Sequence, residues 1–479
     1  LRQVNFDYMG ECIPGINNVT LYLRPYSVVC WIYWTLQQQL DSGRLKEIHS
    51  SGVKAFREKV ESLQLWGHRL HDTRGLPGMG TDMPPAENGL RSLTFADWGN
   101  RQARNTGLQA PVQYGPSMSD ISGLGFLHYE EGETYRVTPR GAQLAEALDE
   151  QLRQAEEAYE RLCQIDLLSA HEDDARALYP LWKVDESSDP EAAVFREALF
   201  QHDQIDNMRS GLGKRSASIQ LILRILGNAG HPLSEQEIRD RMAFPRSWGQ
   251  NPSELGTGMN RQSRIWSLLQ FRQLHRLTLE ALMGWLQYQL NHDLSMRDPD
   301  AIVDRAQKLL LAESGLSDDS SVEALMSALC PYFDSAEGYL EARDAQPATF
   351  DPHQFSKRIL ELSKQNSLDL CTDNFRAIAL LYQCRGWMRD DSVIKERLSH
   401  GGATRVSMEH CFSTIERMKT QPNRAVVDWV FKSLIICQHF ATGTERFDGE
   451  RIRLRFVLDE EGLEPIGNDV WHPIVTADR

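Results

Sequence analysis

The longest apolar run of the chain covers residues 26–36, within the stretch YSVVCWIYWTLQQQL. The run is about half as long as the ~20 residues that a membrane-spanning helix needs. It is also apolar on nearly every side, which is typical of a helix surrounded by other elements. The run therefore predicts a helix buried in the core of a folded domain, and no contact with a membrane.

Helical periodicity dominates the rest of the chain. A second helix is predicted at 44–66, and long helices at 141–168 and 260–291, while residues 72–123 are rich in Gly, Pro, Ser and Asn and favour loops. At 479 residues the chain is too long for a single core. We predict a mainly helical, multi-domain protein with winged-helix-like modules and short β-hairpins. The predicted domains are residues 1–170, 171–345 and 346–479, of which the last ends in a hairpin.

The charge balance restricts the partners. The chain has 52 Lys and Arg against 67 Asp and Glu, a formal net charge of −15. This balance argues against a protein whose surface is mostly basic and binds phosphate groups. Any basic patch has to be local.

The cysteines indicate a reducing compartment. There are eight of them, they are scattered, and no two have the spacing of a zinc site. Most lie in apolar helical patterns, where a thiol behaves as a small hydrophobic group. We expect reduced thiols in a cytoplasmic protein, with no metal site.

The stretch LGFLHYEEGETYRVTPRGAQLAEAL, at 124–148, has the pattern of a wing and closing helix of a winged-helix module. The predicted strands are 124–129 and 134–138, and Thr138-Pro139-Arg140-Gly141 leads into the helix. The tip, 130–133, carries three carboxylates and no cation. Affinity for phosphates requires the opposite sign. We therefore favour a packing or protein-docking role for this module over contact with DNA.

A second helix-turn-helix pattern, SASIQLILRILGNAGHPLSEQEIRDRM, covers 216–242. Asn228 and Gly230 are predicted to end its first helix, and a capping box of Ser234 and Glu237 to begin its second. This module has more cations, although acidic residues share its second helix, and such shapes also bind proteins. The predicted nucleic-acid contacts are Lys214, Arg215, Arg239, Arg241 and Arg246.

No motif identifies a reaction. The chain lacks a phosphate-binding Gly-Lys loop, a Gly-x-Ser-x-Gly turn and a zinc-protease His-Glu pair. The acidic and histidine-containing segments at 171–174, 202–206 and 390–397 are interpreted as solvated or capped helices, and Cys437 and His439 as non-ligands. We predict no catalytic residue, no metal and no cofactor, and whether the chain is an enzyme stays open.

Residues 13–36, IPGINNVTLYLRPYSVVCWIYWTL, resemble the start of uncharacterised proteins encoded in bacterial defence islands. That family has Pro-Gly followed by Ser or Thr, a Thr, an Arg-Tyr pair and a Trp before a buried helix. Asn17 departs from the pattern, and Pro25 shifts the aromatic by one position. The closing LRFVLDEEGLEPI is also similar. The matching residues are Pro14, Gly15, Thr20, Arg24, Tyr26 and Trp31.

The resemblance implies a subunit of an anti-phage system and carries no catalytic residues. We expect a non-catalytic DNA-binding or protein-docking subunit of a bacterial antiviral defence complex. Its expected partners are an ATPase, helicase or nuclease subunit, and double-stranded DNA. The alternatives are a kleisin-like accessory subunit of a chromosome-organising ATPase and a metal-dependent nuclease with an unrecognised site. A transcription regulator is disfavoured by the acidic charge.

Overall fold

The chain folds into two compact units of mainly helical structure. The amino-terminal unit is Gly10–Leu223, and the carboxy-terminal unit is Arg224–Arg479 together with Leu1–Met9. The division lies between residues 223 and 224, and the predicted three-domain arrangement stays a prediction. The computed structural model describes residues 2–16, 21–47, 49–99, 107–110, 113–121, 123–130, 134–333, 335–364, 370–400, 406–445 and 454–466.

The predicted mainly helical fold with short β-hairpins is confirmed, because helices dominate and the strands form short antiparallel pairs, whereas the winged-helix-like modules stay a prediction. The helices from the start of the chain to the unit boundary are α1 (Arg2–Cys12), α2 (Arg24–Asp41), α3 (Ser50–Leu70), α4 (Gly115–Met118), α5 (Pro139–Leu152), α6 (Glu156–Cys163), α7 (Glu172–Leu178), α8 (Asp189–Leu199) and α9 (Gly211–Asn228). The strands there are β1 (Leu90–Ser92), β2 (Leu127–Glu130), β3 (Thr134–Val137) and β4 (Ser169–His171), paired as β1–β4 and β2–β3.

Helix α2 is the buried helix that the apolar run predicts. Val28, Val29 and Trp31 are fully buried, and α2 packs mainly against α5. The Trp31 indole N–H donates to Asp149 Oδ1 of α5 at 2.9 Å, so the one polar atom of that side chain is satisfied. The amino-terminal unit is thus organised around a helix without a solvated face along most of its length.

The predicted hairpin at 124–138 is present as β2–β3, with Tyr129 opposite Tyr135. The predicted helix at 141–168 is instead divided into α5 and α6 by a 3-10 turn, Arg153–Ala155. Leu162 of α6 is buried in the same core as the leucines of α5. Periodicity extends across both helices, which explains why the sequence suggested one.

The carboxy-terminal unit is built on α11 (Thr257–His292), a helix of 36 residues. Its other helices are α10 (Glu235–Ala243), α12 (Pro299–Ser314), α13 (Val322–Leu329), α14 (Ala336–Ala345), α15 (Pro347–Phe350), α16 (Pro352–Lys364), α17 (Cys371–Gln383), α18 (Arg385–Asp390), α19 (Ser392–Leu398), α20 (Met408–Met418), α21 (Arg424–Asp428), a π-helix (Trp429–Cys437) and α22 (Gln438–Glu445). Strands β5 (Phe456–Asp459) and β6 (Gly462–Pro465) form the predicted closing hairpin, and β6 packs on α11. The turn of this hairpin is at Glu460 and Glu461, and the predicted turn at 447–449 lies outside the described residues.

Gly141 allows α5 to start directly against strand β2. A Cβ atom at this position would overlap the carbonyl oxygen of Phe126. Thr138 closes the same corner, since its hydroxyl donates to the Gly125 carbonyl oxygen at 2.7 Å and accepts from the Gly141 N–H at 3.1 Å. The Thr-x-x-Gly pattern therefore allows the start of α5 to lie close to the hairpin.

We expect Gly141→Ala to lower the free energy of unfolding of the amino-terminal unit by about 2 kcal/mol or more, because the backbone has to move to admit the methyl group. Denaturant titration followed by circular dichroism measures this change.

Gly227→Ala in α9 is the matched control, because nothing lies within 4 Å of the Cβ it would add. It should leave stability unchanged or raise it by up to about 1 kcal/mol. Equal destabilisation by both substitutions would contradict the close approach at Gly141.

Candidate nucleic-acid interface

The two helices predicted for the second helix-turn-helix pattern are present as α9 and α10, and their assembly into a helix-turn-helix module stays a prediction. The first helix ends at Asn228, and the capping box at Ser234 and Glu237 is formed as predicted. The Ser234 backbone N–H and hydroxyl both donate to the Glu237 carboxylate, at 2.8 and 2.9 Å, which lowers the pKa of that carboxyl. Local capping chemistry thus sets the start of the helix that was predicted to read DNA.

Arg215 is not on the surface. Its side chain is 1% exposed and donates to backbone carbonyl oxygens of Leu199 (3.1 Å from Nε), Pro14 and Ala198. Burial lowers its pKa to about 10. The prediction of a phosphate contact at Arg215 is corrected on this ground, because the guanidinium joins α8, α9 and the segment after α1.

Lys214 is next to this buried arginine but is partly accessible. Its Nζ lies 3.6 Å from Glu11 Oε1, and 26% of the side chain is exposed. A phosphate group would have to compete with that carboxylate. The Lys214 contact stays a prediction.

Arg239 is bound within the carboxy-terminal unit. Its Nη2 lies 3.1 Å from Oδ2 of Asp351, a residue with no exposed surface. Asp351 Oδ1 also accepts the backbone N–H groups of His353 and Gln354, which cap the start of α16. The arginine therefore attaches α10 to α16 and has little surface for a phosphate.

The neighbouring charges of α10 are paired in the same way. Asp240 Oδ1 accepts from Arg343 Nη1 of α14 at 2.8 Å. Burial raises the pKa of the Asp240 carboxyl, and the arginines beside it act in the opposite direction. The middle of α10 is thus a packing surface of the unit.

Arg246 is the most exposed of the five predicted contacts, at 63%, and its Nη1 lies 3.2 Å from Glu337 Oε1. Arg241 is half-buried, and its charge contributes to the lowered pKa of Glu237. Lys214 and Arg215 belong to the amino-terminal unit and the other three to the carboxy-terminal unit. The sequence could not indicate these pairings, because the acidic partners of Arg239 and Arg246 are about a hundred residues away along the chain.

The wing hairpin has an aromatic face that the sequence reasoning missed. The Tyr129 ring meets the Tyr135 ring edge-on with centroids 5.3 Å apart, and Tyr135 lies 5.5 Å from Tyr33 of α2. Tyr129 is 54% exposed, whereas Tyr33 is buried. A row of three rings therefore leads from the core to the surface. The signal was present in the sequence, since two tyrosines directly opposite each other in a hairpin share a face.

The other face of the hairpin carries paired charges. His128 Nδ1 lies 2.6 Å from Asp120 Oδ2, and Arg136 Nε lies 3.1 Å from Glu130 Oε1. The rest of the acidic tip, 131–133, lies outside the described residues. Arg136, the cation nearest the tip, is thus already paired with a carboxylate.

The candidates for metal binding are dispersed. In the part of the chain that the structure describes, no group of three or more His, Cys, Asp and Glu side chains is placed to hold a metal ion. His439 Nε2 accepts the backbone N–H of Arg455 at 3.0 Å, and burial lowers its pKa to about 4. None of the eight cysteines, all of which are among the described residues, forms a disulfide bond. None of the described helices combines the length and apolar composition needed to cross a bilayer.

Comparisons with protein-family models, with curated proteins and with solved structures find no match to this chain.

We expect Arg239→Met to destabilise the carboxy-terminal unit by about 2 to 4 kcal/mol, because it leaves the buried Asp351 carboxylate without its cation. Arg246→Met should change stability by less than about 0.5 kcal/mol, because an exposed ion pair is weak. Denaturant titration of both variants measures the difference. Similar small effects from both would show that Arg239 is not a structural residue.

Proposed function

We propose that this protein is a non-catalytic, protein-docking subunit of a bacterial anti-phage defence complex in the cytoplasm, and that the β2–β3 hairpin is its docking element. The observation that carries the proposal is the row of Tyr33, Tyr135 and Tyr129, which ends in a largely exposed ring. Tyrosine is enriched at the centres of protein interfaces because its ring buries a large apolar area at a low entropic cost.

The hairpin is rigidly supported, which favours recognition. The Tyr33 hydroxyl donates to Gln109 Oε1 at 2.5 Å, and α2 packs against β3. A side chain that is already ordered loses little freedom on binding. The inner part of the aromatic face packs on α2, and the largely exposed Tyr129 ring at its outer end is the contact surface in this proposal.

The resemblance to defence-island proteins involves residues of α2, the helix on which the hairpin packs. Of the residues that carry the resemblance, Arg24, Tyr26 and Trp31 lie in α2 and are buried. The Tyr26 hydroxyl is 2.8 Å from Ser117 Oγ, in the segment that leads to the hairpin. Residues of the family pattern thus help to build the base on which the hairpin stands.

Charge complementarity suggests the chemistry of the partner. The tip contributes Glu130, Glu131 and Glu133, and the whole chain is acidic. The matching surface is an apolar groove with lysines or arginines at its rim. An ATPase, helicase or nuclease subunit that also handles DNA would provide such a basic surface.

The test is recovery of partners from the host with a tagged chain. We expect Tyr129→Ser to reduce recovery of a specific partner by at least about tenfold, in line with the loss of a central aromatic contact. Tyr332→Ser is the matched control, because Tyr332 is 59% exposed and belongs to the carboxy-terminal unit. Quantitative mass spectrometry measures both.

Several outcomes would favour the alternatives. Equal recovery with Tyr129→Ser would contradict docking through the hairpin. Duplex DNA binding that is lost in Arg246→Ala would favour the DNA-binding role. A chromosome-organising ATPase as the recovered partner would favour the kleisin-like accessory subunit. Cleavage of DNA that requires Mg²⁺ or Mn²⁺ would favour the nuclease.

A further inference from the structure

The helix from residue 424 to residue 445 contains a π-helical segment, Trp429–Cys437, between α21 and α22. A π-helix forms its backbone hydrogen bonds between residues i and i+5, so its turn contains about one residue more than that of an α-helix. Such segments are rare, and those inside α-helices are frequent at functional sites. A change to α-helical hydrogen bonding in this segment would shift every helical residue that follows it.

The π-helical segment allows Phe431 and Ile436 to be buried on the same side. They are five residues apart, and their side chains are 0% and 7% exposed. The Phe431 ring packs on the Trp285 ring of α11, with centroids 5.3 Å apart. In an α-helix, which has about 3.6 residues per turn, a separation of five residues places two side chains about 140° apart. The α-helical form of the segment would therefore turn Ile436 away from the core.

The extra residue also determines which side chains of α22 meet the closing hairpin, β5–β6. His439 Nε2 accepts the Arg455 backbone N–H at 3.0 Å. The Phe456 ring lies 4.4 Å from the His439 ring and 5.6 Å from the Phe440 ring, measured between centroids. The start of β5 is thus attached to α22 by one backbone hydrogen bond and two ring contacts.

The face of α22 beside this contact is polar. Gln438 Nε2 donates to Thr442 Oγ1 at 3.2 Å. A shift by one residue turns a helix by about 100°. In the α-helical register, Gln438 and Thr442 would therefore turn toward the hairpin, and His439 and Phe440 would turn away from it.

Each register has one physical advantage. The π-helical register buries Ile436 and part of Phe440. The α-helical register has the hydrogen bonds that are usual in helices. The turn of the hairpin is held separately, since Arg297 Nη1 lies 3.2 Å from Glu461 Oε2. A change of register would release the start of β5 and leave the turn in place.

We propose that the π-helical segment is a register switch for the closing hairpin. In the π-helical register α22 holds the start of β5. A shift to the α-helical register releases Arg455 and Phe456 and uncovers the apolar surface between Phe440 and Phe456. The switch lies in the carboxy-terminal unit and does not depend on the docking function of the β2–β3 hairpin.

The experiment is hydrogen exchange of the full chain followed by mass spectrometry, with the amides of α11 as the reference for unfolding of the unit. In the wild type we expect the amides of residues 455–458 to exchange at least about tenfold faster than those of α11, because local release exposes them without unfolding.

Deletion of Leu434 removes the extra residue. Phe431 and Ile436 are then four residues apart, which an α-helix places on one face. The α-helical form now keeps the hairpin attached, so exchange at 455–458 should slow by at least about tenfold relative to α11. Leu434→Ala is the matched control, because it removes the same side chain and keeps the chain length. It should not slow exchange at 455–458 relative to α11.

Ile436→Gln should act in the opposite direction, because a polar side chain favours the register in which residue 436 meets solvent. We expect exchange at 455–458 to become at least about tenfold faster relative to α11. Ile435→Gln is its matched control. Ile435 is four residues after Phe431 and faces the core in both registers, so this variant should accelerate exchange in α11 and at 455–458 alike.

Four results would overturn the proposal. The first is exchange at 455–458 that is as slow as in α11 of the wild type. The second is an unchanged relative rate after deletion of Leu434, and the third is a deletion variant that does not fold. The fourth is an equal effect of Ile436→Gln on both regions.

Discussion

The buried ion pair between Arg24 and Glu191 holds the amino-terminal unit together. The two side chains are 2% and 0% exposed, with 3.2 Å between Nη2 and Oε2. Arg24 also donates to the backbone carbonyl oxygens of Leu181 and Glu186, so the first residue of α2 is attached to the segment that precedes α8. Breaking such a pair leaves an uncompensated charge in the core, which is far more costly than losing a surface pair. The position of α2, and therefore of the hairpin that rests on it, depends on this contact.

Several cationic side chains of this protein are buried, and they differ in the number of hydrogen-bond acceptors around them. Lys59 is buried and its Nζ donates to the carbonyl oxygens of Arg161 and Gln164, at 2.8 and 2.6 Å, at the end of α6. Arg215 likewise has several carbonyl oxygens. Such groups are satisfied by backbone dipoles at helix ends and need no further partner. Arg272 is different, because its Nη2 donates to the carbonyl oxygen of His400 and its guanidinium lies over the Tyr8 ring.

The sequence was most informative where structure depends on near neighbours. The apolar run of α2, the capping box at Ser234 and the alternation of the wing hairpin all describe interactions within a few residues, and all three are present. The fate of Arg215 and Arg239 could not be predicted, because their partners come from Pro14, Leu199 and Asp351. A cation in a helix-turn-helix pattern looks the same in a sequence whether it faces solvent or a distant carboxylate. The aromatic row was similarly hidden, since Tyr33 is about a hundred residues from Tyr135.

The contact between Thr138, Gly141 and the hairpin limits what the Thr-x-x-Gly pattern can indicate about function. The hydroxyl and the missing side chain are required because α5 begins immediately beside the backbone of Phe126, which leads into β2, and this requirement is geometric. A pattern of this kind reports how closely two backbone segments approach each other, whatever the outer surface binds. A sequence search with Thr-x-x-Gly alone therefore selects proteins in which a helix starts close to a hairpin. It does not select for a particular ligand. In this chain the contacts with a partner are to be sought instead on the exposed part of the hairpin, where the Tyr129 ring lies.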